Sequence, residues 1–232
     1  MKHVKIEALD ERSLRTGLRF LARLEPRFAG VLELHGPPPL WPREPGFATL
    51  SLLMLEQQVS LAQARAMYAR LDAATGGITP PAVGRLGVDG MRAIGITRQK
   101  SAFLAALAGE LNSGKLDLNA LAAMPDDQAA RALDDLYGIG PWTAQCYLLF
   151  ALRRRDVFPT ADLALMEAVR QLWKLPARPS PAAMERHAAA WQPYRSVAAR
   201  LLWHHYLSEK SKKLTGSRSP RAVRGTPTDR PV

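Results

Sequence analysis

Apolar residues recur at helical spacing through most of this chain, and this pattern constrains its fold more than any other feature. Leu14, Leu18 and Leu21 follow one another at intervals of four and three residues, which places them on one face of a helix. Similar spacing recurs in three later segments, at Phe103, Leu107 and Leu111, at Leu165, Val169 and Leu172, and at Met184, Ala188 and Trp191. The alternation typical of a strand is confined to "VKIEAL", residues 4–9. The sequence therefore predicts an all-α fold with little or no N-terminal β domain.

The chain is strongly basic, with a formal net charge of +11 over 232 residues and an isoelectric point of about 10.3. Such an excess favours a polyanionic partner, either nucleic acid or an anionic membrane surface, although a basic surface can also serve solubility alone. We expect no membrane span, because no stretch reaches the roughly 20 apolar residues that a span needs. The start of the chain lacks the apolar core of a signal peptide, so a reducing, cytoplasmic location is expected.

The single cysteine, Cys146, excludes a disulfide within the chain and a four-cysteine zinc or iron–sulfur site. No cofactor is expected. His204 and His205 are adjacent, so their side chains point to different faces of a helix. We interpret both as surface or packing residues.

Composition divides the chain into three parts. Residues 1–45 form an N-terminal segment that ends in the proline-rich loop "HGPPPLWPREPG", residues 35–46, and is expected to pack on the helices. Residues 46–208 form the helical domain, and the whole chain is long enough for one large domain or two small lobes. Residues 209–232 carry seven basic and two acidic residues without any apolar period, and are predicted to be a disordered basic tail.

A tight glycine turn, "LYGIGPWTAQ" at residues 136–145, separates two helical segments. Acidic residues begin the first segment, and Gly140 followed by Pro141 suits the N-cap and first position of the second. The unit is a predicted helix–hairpin–helix over about residues 127–150. Glycines at a bare helix N-terminus form a nest for a phosphate. A plain αα-hairpin with a glycine C-cap explains the two glycines equally well.

Four further segments accompany the turn in a fixed order: "LLMLEQQVSLAQA", "AIGITRQKSAFL", "DVFPTADLAL" and "WQPYRSVAARLLW". Together with "LYGIGPWTA" they resemble the helix-hairpin-helix, Gly-Pro-Asp superfamily of DNA glycosylases, and more closely its alkyladenine branch, 3-methyladenine DNA glycosylase II. The resemblance runs from about residue 46 to 208. It implies two helical lobes with a base-binding cleft between them. Only about 45 residues precede the helices, so a shortened form without the β-rich domain of longer bacterial members is expected.

The resemblance implies a set of site residues. Asp162 corresponds to the catalytic aspartate, although "TADLAL" also permits a simple N-cap at this position. Trp203, Trp142 and Cys146 correspond to the base pocket, and the two tryptophans could equally be helix-packing core. Gln58 corresponds to the side chain that wedges into the gap left by the flipped base, or to a glutamine that caps a helix end.

The resemblance also implies contacts with the DNA backbone. The predicted phosphate contacts are the amides of Gly138, Gly140 and Thr143, together with the side chains of Lys100 and Arg98. Carbonyls near Gly138 and Gly140 are predicted to hold a monovalent cation, with no side-chain metal ligand.

The implied function is a monofunctional glycosylase that removes 3-methyladenine-like bases from double-stranded DNA, as a monomer in the bacterial cytoplasm and nucleoid. Lyase-type members of the superfamily carry a lysine two residues after the second hairpin glycine, where this chain has Trp142. No lysine lies between Lys115 and Lys174, which leaves Lys100 as the first residue to suspect. Two alternatives remain open: a non-catalytic DNA-damage-binding protein, and a glycosylase for oxidised or deaminated bases.

Overall fold

A computed structural model describes residues 8–216, with side chains up to residue 212, and this part of the chain is helical without any strand. The helices are α1 (Glu11–Leu24), α2 (Pro26–His35), α3 (Phe47–Glu56), α4 (Leu61–Thr75), α5 (Pro80–Ala93), α6 (Arg98–Asn112), α7 (Asp126–Asp134), α8 (Pro141–Phe150), α9 (Leu163–Leu172), α10 (Pro181–Ala189) and α11 (Arg195–Gly216). A short 3-10 helix, Ala120–Ala123, precedes α7. The all-α prediction is confirmed for this part. Most of "VKIEAL" lies outside the described residues.

Two hydrophobic cores divide the helices into two lobes. The first core is built by α3 to α8 and the second by α1, α2 and α9 to α11. Helix α8 serves both, because Leu148 is buried in the first core and Leu149 in the second. The predicted helical periodicities lie on these buried faces, with Leu107 in the first core and Leu18 in the second. No described helix is long and apolar enough to cross a membrane.

The N-terminal helices complete the second lobe, since α1 and α2 both pack against α11. The proline-rich loop that follows them is fixed by hydrogen bonds from both lobes. The Leu40 carbonyl accepts from Arg200 Nε at 2.9 Å, and the Gly46 amide donates to the Tyr147 hydroxyl at 2.9 Å. Residues 8–45 are therefore an integral part of the helical body.

Local capping chemistry sets several helix boundaries where the sequence predicts them. Ser60 Oγ accepts from the Gln63 amide at 3.2 Å, and Gln63 Oε1 accepts from the Ser60 amide at 3.1 Å, which completes the predicted capping box of α4. Gly140 is the N-cap of α8 and Pro141 its first residue, also as predicted.

The last helix is longer than the sequence indicates. Helix α11 continues to Gly216, so residues 209–216 are helical and the predicted start of the disordered tail at 209 is corrected. Lys212 donates to Glu209 Oε1 at 3.0 Å, an i,i+3 ion pair of the kind that supports a helix. The rest of the predicted tail, residues 217–232, lies outside the described part.

Candidate active site

The two glycines of the hairpin differ in backbone conformation and in the space available for a side chain. Gly138 has φ of +87°, and a Cβ atom there would lie 2.2 Å from Cγ of Phe103 on α6. Gly140 has φ of −107° and nothing within 4 Å of the position of a Cβ. Gly138 is therefore required for packing, whereas Gly140 leaves open space in front of a helix N-terminus that no side chain caps.

Gln57 holds the hairpin from the end of α3. Its Nε2 donates to the Gly138 carbonyl and to Thr143 Oγ1, both at 2.9 Å. Thr143 is 1% exposed, and its hydroxyl supports the hairpin. The phosphate contact through its amide stays a prediction. Gln57 was not predicted, because the resemblance points to the neighbouring glutamine of "EQQVS", Gln58.

Two glycine carbonyls lie where the monovalent cation was predicted, and that ion stays a prediction. The Gly138 carbonyl accepts from Gln57 Nε2, and the Gly140 carbonyl accepts from the Ala144 amide at 3.0 Å. A carbonyl oxygen has two lone pairs, so each of these oxygens keeps one that this hydrogen bond does not use.

Lys100 is buried and its ammonium group binds backbone carbonyls inside the protein, which corrects its prediction as a phosphate contact. Its Nζ donates to the carbonyls of Met54 at 3.1 Å, Leu55 at 2.5 Å and Gln57 at 2.8 Å, at the C-terminal end of α3. A lysine suits this position because the last carbonyls of a helix carry negative partial charge. Burial lowers the pKa of the ammonium group. Arg98, the first residue of α6, is exposed, and its role as a phosphate contact stays a prediction.

Asp162 accepts four hydrogen bonds at the junction of the two lobes. Its Oδ1 accepts from the amides of Ala164 and Leu165, both at 2.9 Å, and from Trp203 Nε1 at 3.1 Å. Its Oδ2 accepts from Trp142 Nε1 at 2.9 Å. Asp162 is thus the N-cap of α9, and it is also the point where one indole from each lobe meets, with an exposed fraction of 9%.

The segment before Asp162 is tied to the start of α11. Ser196 Oγ accepts from the Val157 amide at 3.1 Å and donates to the Val157 carbonyl at 2.8 Å. The Arg195 guanidinium binds both oxygens of Asp156, each at 3.0 Å. These contacts fix residues 156–162 against the helix that carries Trp203, so the carboxylate and that indole are held on one frame.

The two predicted pocket tryptophans converge on Asp162 from opposite sides. Trp203 is buried on α11 and stacks on Phe150, with ring centroids 5.1 Å apart and planes at 23°. Trp142 is half-buried and packs against the first core. Arg43 lies over the Phe150 ring, 5.0 Å from its centroid. Phe150 was missed because helical spacing alone does not reveal its stacking partner.

Cys146 and Gln58 differ sharply in their exposure. Cys146 is buried in the first core, and burial raises the pKa of its thiol well above the usual value. Its place in the base pocket stays a prediction. Gln58 is exposed on the turn after α3 and has a left-handed φ of +57°. Its role as a wedge stays a prediction.

The chain is similar to known DNA glycosylases in both sequence and fold. The chain is 31% identical over 126 residues to DNA-3-methyladenine glycosylase 1 of Schizosaccharomyces pombe. The matched residues make up 54% of this chain and 55% of that protein. The solved structure of the 3-methyladenine DNA glycosylase Mag1 of that yeast, in complex with abasic DNA, has a TM-score of 0.75 at 25% identity and covers 85% of this chain and 97% of that one. An 8-oxoguanine glycosylase/lyase of Clostridium acetobutylicum shares the fold, with a TM-score of 0.76 at 15% identity over 90% of this chain and 75% of that one.

The chain spans about half the length of the curated relatives that it matches. Residues 52–193 match the description "HhH-GPD superfamily base excision DNA repair protein". This range covers more than half of the chain and contains the hairpin, Gln57 and Asp162. The chain therefore belongs to the HhH-GPD superfamily of base excision DNA repair proteins.

Proposed function

We propose that this protein is a monofunctional, monomeric DNA glycosylase that flips 3-methyladenine-like bases out of double-stranded DNA and hydrolyses the N-glycosidic bond. The observation that carries the proposal is Asp162, held at the lobe junction by two indole N–H groups and two backbone amides. The relative and the structure named from Schizosaccharomyces pombe, both 3-methyladenine glycosylases, support it.

The carboxylate suits the transition state of this reaction. Departure of a base from deoxyribose leaves positive charge on the sugar, in an oxocarbenium-like state. A carboxylate about 4 Å from that charge, at an effective dielectric constant of about 20, gains about 4 kcal/mol, or roughly three decades in rate. Three donors occupy Oδ1 and one occupies Oδ2. Oδ2 is therefore the oxygen left to face the sugar or a water.

The indoles suit a flipped, alkylated base. Extrusion of a nucleotide costs a few kcal/mol, and stacking on an aromatic face returns about 1–3 kcal/mol. A cationic alkylated purine gains about 1–2 kcal/mol more over an indole. The donors around Asp162 are amides and indoles, neither of which protonates a leaving base. This arrangement favours lesions that leave without protonation, as bases alkylated at N3 or N7 do.

Asp162→Asn tests the proposal directly. Asparagine caps a helix as well as aspartate does, so α9 is expected to remain intact. Loss of the negative charge is expected to lower excision about 1,000-fold. Binding to abasic-site DNA is expected to change only a few-fold, because phosphate contacts supply most of the affinity. Released bases are measured by chromatography from methylated duplex, and binding by fluorescence anisotropy.

Asp162→Ala is the matched control for folding. It removes the cap and both indole acceptors, so its melting temperature should fall further than that of Asp162→Asn. Release of 3-methyladenine by folded Asp162→Asn at near wild-type rate would contradict a catalytic carboxylate. Loss of binding in parallel with loss of excision would show that Asp162 supports the DNA-binding structure and not the chemistry. Absence of excision by the wild type would favour a DNA-binding protein without catalysis.

We also propose that the product is an intact abasic site, without strand cleavage. Trp142 occupies the position of the lyase lysine, and the three N–H bonds of Lys100 are directed at three carbonyls inside the protein. Neither residue can offer a free amine to C1′. Borohydride present during turnover is expected to trap no covalent protein–DNA adduct, as judged by denaturing gels. A trapped adduct would show that the enzyme is bifunctional.

A further inference from the structure

Three potential metal ligands meet where the end of α2 contacts α11. His35 is the last residue of α2, and His205 and Glu209 lie one helical turn apart on α11. His205 Nδ1 lies 3.3 Å from His35 Nε2, and His35 Nε2 lies 3.5 Å from Glu209 Oε1. The three ligand atoms all lie within 4.8 Å of one another. None of these residues belongs to the site around Asp162.

These spacings match the geometry of tetrahedral zinc. Zinc binds imidazole nitrogen at about 2.0–2.1 Å and carboxylate oxygen at about 2.0–2.2 Å, so two ligand atoms on one tetrahedron lie about 3.3–3.5 Å apart. Two of the three separations in this cluster already have that length. Calcium and magnesium prefer oxygen ligands, so the two imidazoles select against them.

The cluster is pre-assembled and reachable. The side chain of His35 is 3% exposed and that of Glu209 is 30% exposed, so an ion can enter from the Glu209 side. In the contact between the two imidazole nitrogens, the accepting nitrogen already carries a lone pair for a metal. The donating nitrogen carries a proton, which moves to the other nitrogen of its ring or is released when the ion binds. Lys212 contacts Glu209 Oε1 at 3.0 Å, so the ion must displace this ammonium group from the carboxylate.

We propose that His35, His205 and Glu209 form a zinc site, with water as the fourth ligand, which joins α2 to α11. His205 lies two residues after Trp203, so the ion fixes the N-terminal helices to the helix that carries the buried indole. The site does not depend on the glycosylase function, and its loss would leave the Asp162 chemistry in place.

The test uses the full chain after treatment with a chelator. Cobalt(II) is expected to bind with a stoichiometry of one and to give the visible spectrum of a four-coordinate ion. Zinc at a hundred times its dissociation constant is expected to raise the melting temperature by roughly 5–10 °C. His205→Gln and Glu209→Gln are each expected to weaken zinc binding by at least roughly tenfold in calorimetry, because each removes one of three protein ligands.

His204→Gln is the matched control. His204 is the adjacent histidine, but its Nε2 contacts the His35 carbonyl at 3.0 Å and lies outside the ligand set. Zinc affinity within about twofold of wild type is expected for this variant. Glu209→Gln changes a partly exposed residue and keeps the test valid if a histidine variant fails to fold. Unchanged zinc affinity in Glu209→Gln, a six-coordinate cobalt spectrum, or no rise in melting temperature would each overturn the proposal.

Discussion

Asp162 shows how one side chain can serve structure and chemistry together. The sequence left two roles open for it, helix capping and catalysis, and the geometry makes the two compatible. Its Oδ1 accepts the first-turn amides of α9, which fixes the side-chain torsion and directs Oδ2 toward Trp142. The cap therefore prepares the carboxylate for its proposed role, because a positioned charge needs no reorganisation during reaction.

Substitutions of Trp203 can separate the contribution of its aromatic ring from that of its indole N–H group. Trp203→Phe keeps an aromatic face on Phe150 but removes the donor to Asp162 Oδ1, which retains two backbone donors. Excision is expected to fall roughly tenfold, the equivalent of about 1.5 kcal/mol for one hydrogen bond to a charged group. Binding to undamaged duplex is expected to stay unchanged, because stacking matters only after the base is flipped. Single-turnover excision rates and anisotropy measure the two quantities.

Trp203→Ala provides the stronger comparison for this tryptophan. It removes the stacking face as well, so excision is expected to fall well below that of Trp203→Phe. It should also destabilise the fold by about 3–5 kcal/mol, as large-to-small changes in a core do. Equal losses of excision and of undamaged-DNA binding in Trp203→Phe would instead indicate a purely structural tryptophan.

The hairpin between α7 and α8 offers a matched pair of glycine substitutions. Gly138→Ala combines a left-handed φ with a Cβ that would overlap Phe103, so it is expected to destabilise the fold by about 2–4 kcal/mol. Gly140→Ala adds a methyl group in open space at an ordinary φ, so the cost is limited to that of alanine at an N-cap, about 1 kcal/mol or less. That methyl group covers the bare helix N-terminus, and DNA affinity is expected to fall. Urea denaturation and anisotropy separate the two effects.

A stable Gly140→Ala variant with wild-type DNA affinity would show that the hairpin is only a connection between helices. This outcome would support the plain αα-hairpin that the glycines alone permit. A stable Gly138→Ala variant would show that Phe103 can move away, since its ring is the group that a Cβ would meet.

Helix boundaries could be predicted from the sequence because their causes are local. Ser60 with Gln63, and Gly140 with Pro141, each act within a few residues. Lys100 could not be placed in this way, because the carbonyls that it binds belong to the end of α3, more than forty residues earlier. Gln57 and Gln58 could not be told apart from the sequence either. The backbone conformation at the end of α3 determines that Gln57 contacts the hairpin and Gln58 does not. The proposed zinc ligands come from two separate helices and have no sequence signal.

The two-lobe arrangement explains why the carboxylate is shielded. Helix α8 contributes to both cores, and Asp162 binds one indole on α8 and another on α11. Opening of the lobes would separate Trp142 from Trp203 and expose the carboxylate between them. Asp162 is 9% exposed, so an electrostatic contact to its carboxylate, as proposed for the sugar of a flipped nucleotide, would be stronger than in solvent.

Removal of residues 217–232 tests whether the basic residues at this end of the chain contribute to DNA binding. The cut falls after Gly216, where α11 ends, and removes four arginines and one aspartate. Excision from saturating substrate is expected to stay unchanged, because the Asp162 site is intact. Affinity for undamaged duplex should fall, and the slope of log affinity against log salt should decrease by about 0.9 for each DNA phosphate that these arginines neutralise in the full-length protein.

A full-length variant with Arg218, Arg221, Arg224 and Arg230 replaced by glutamine should reproduce the change, which would assign it to charge and not to length. An unchanged slope in both variants would show that these arginines do not bind DNA.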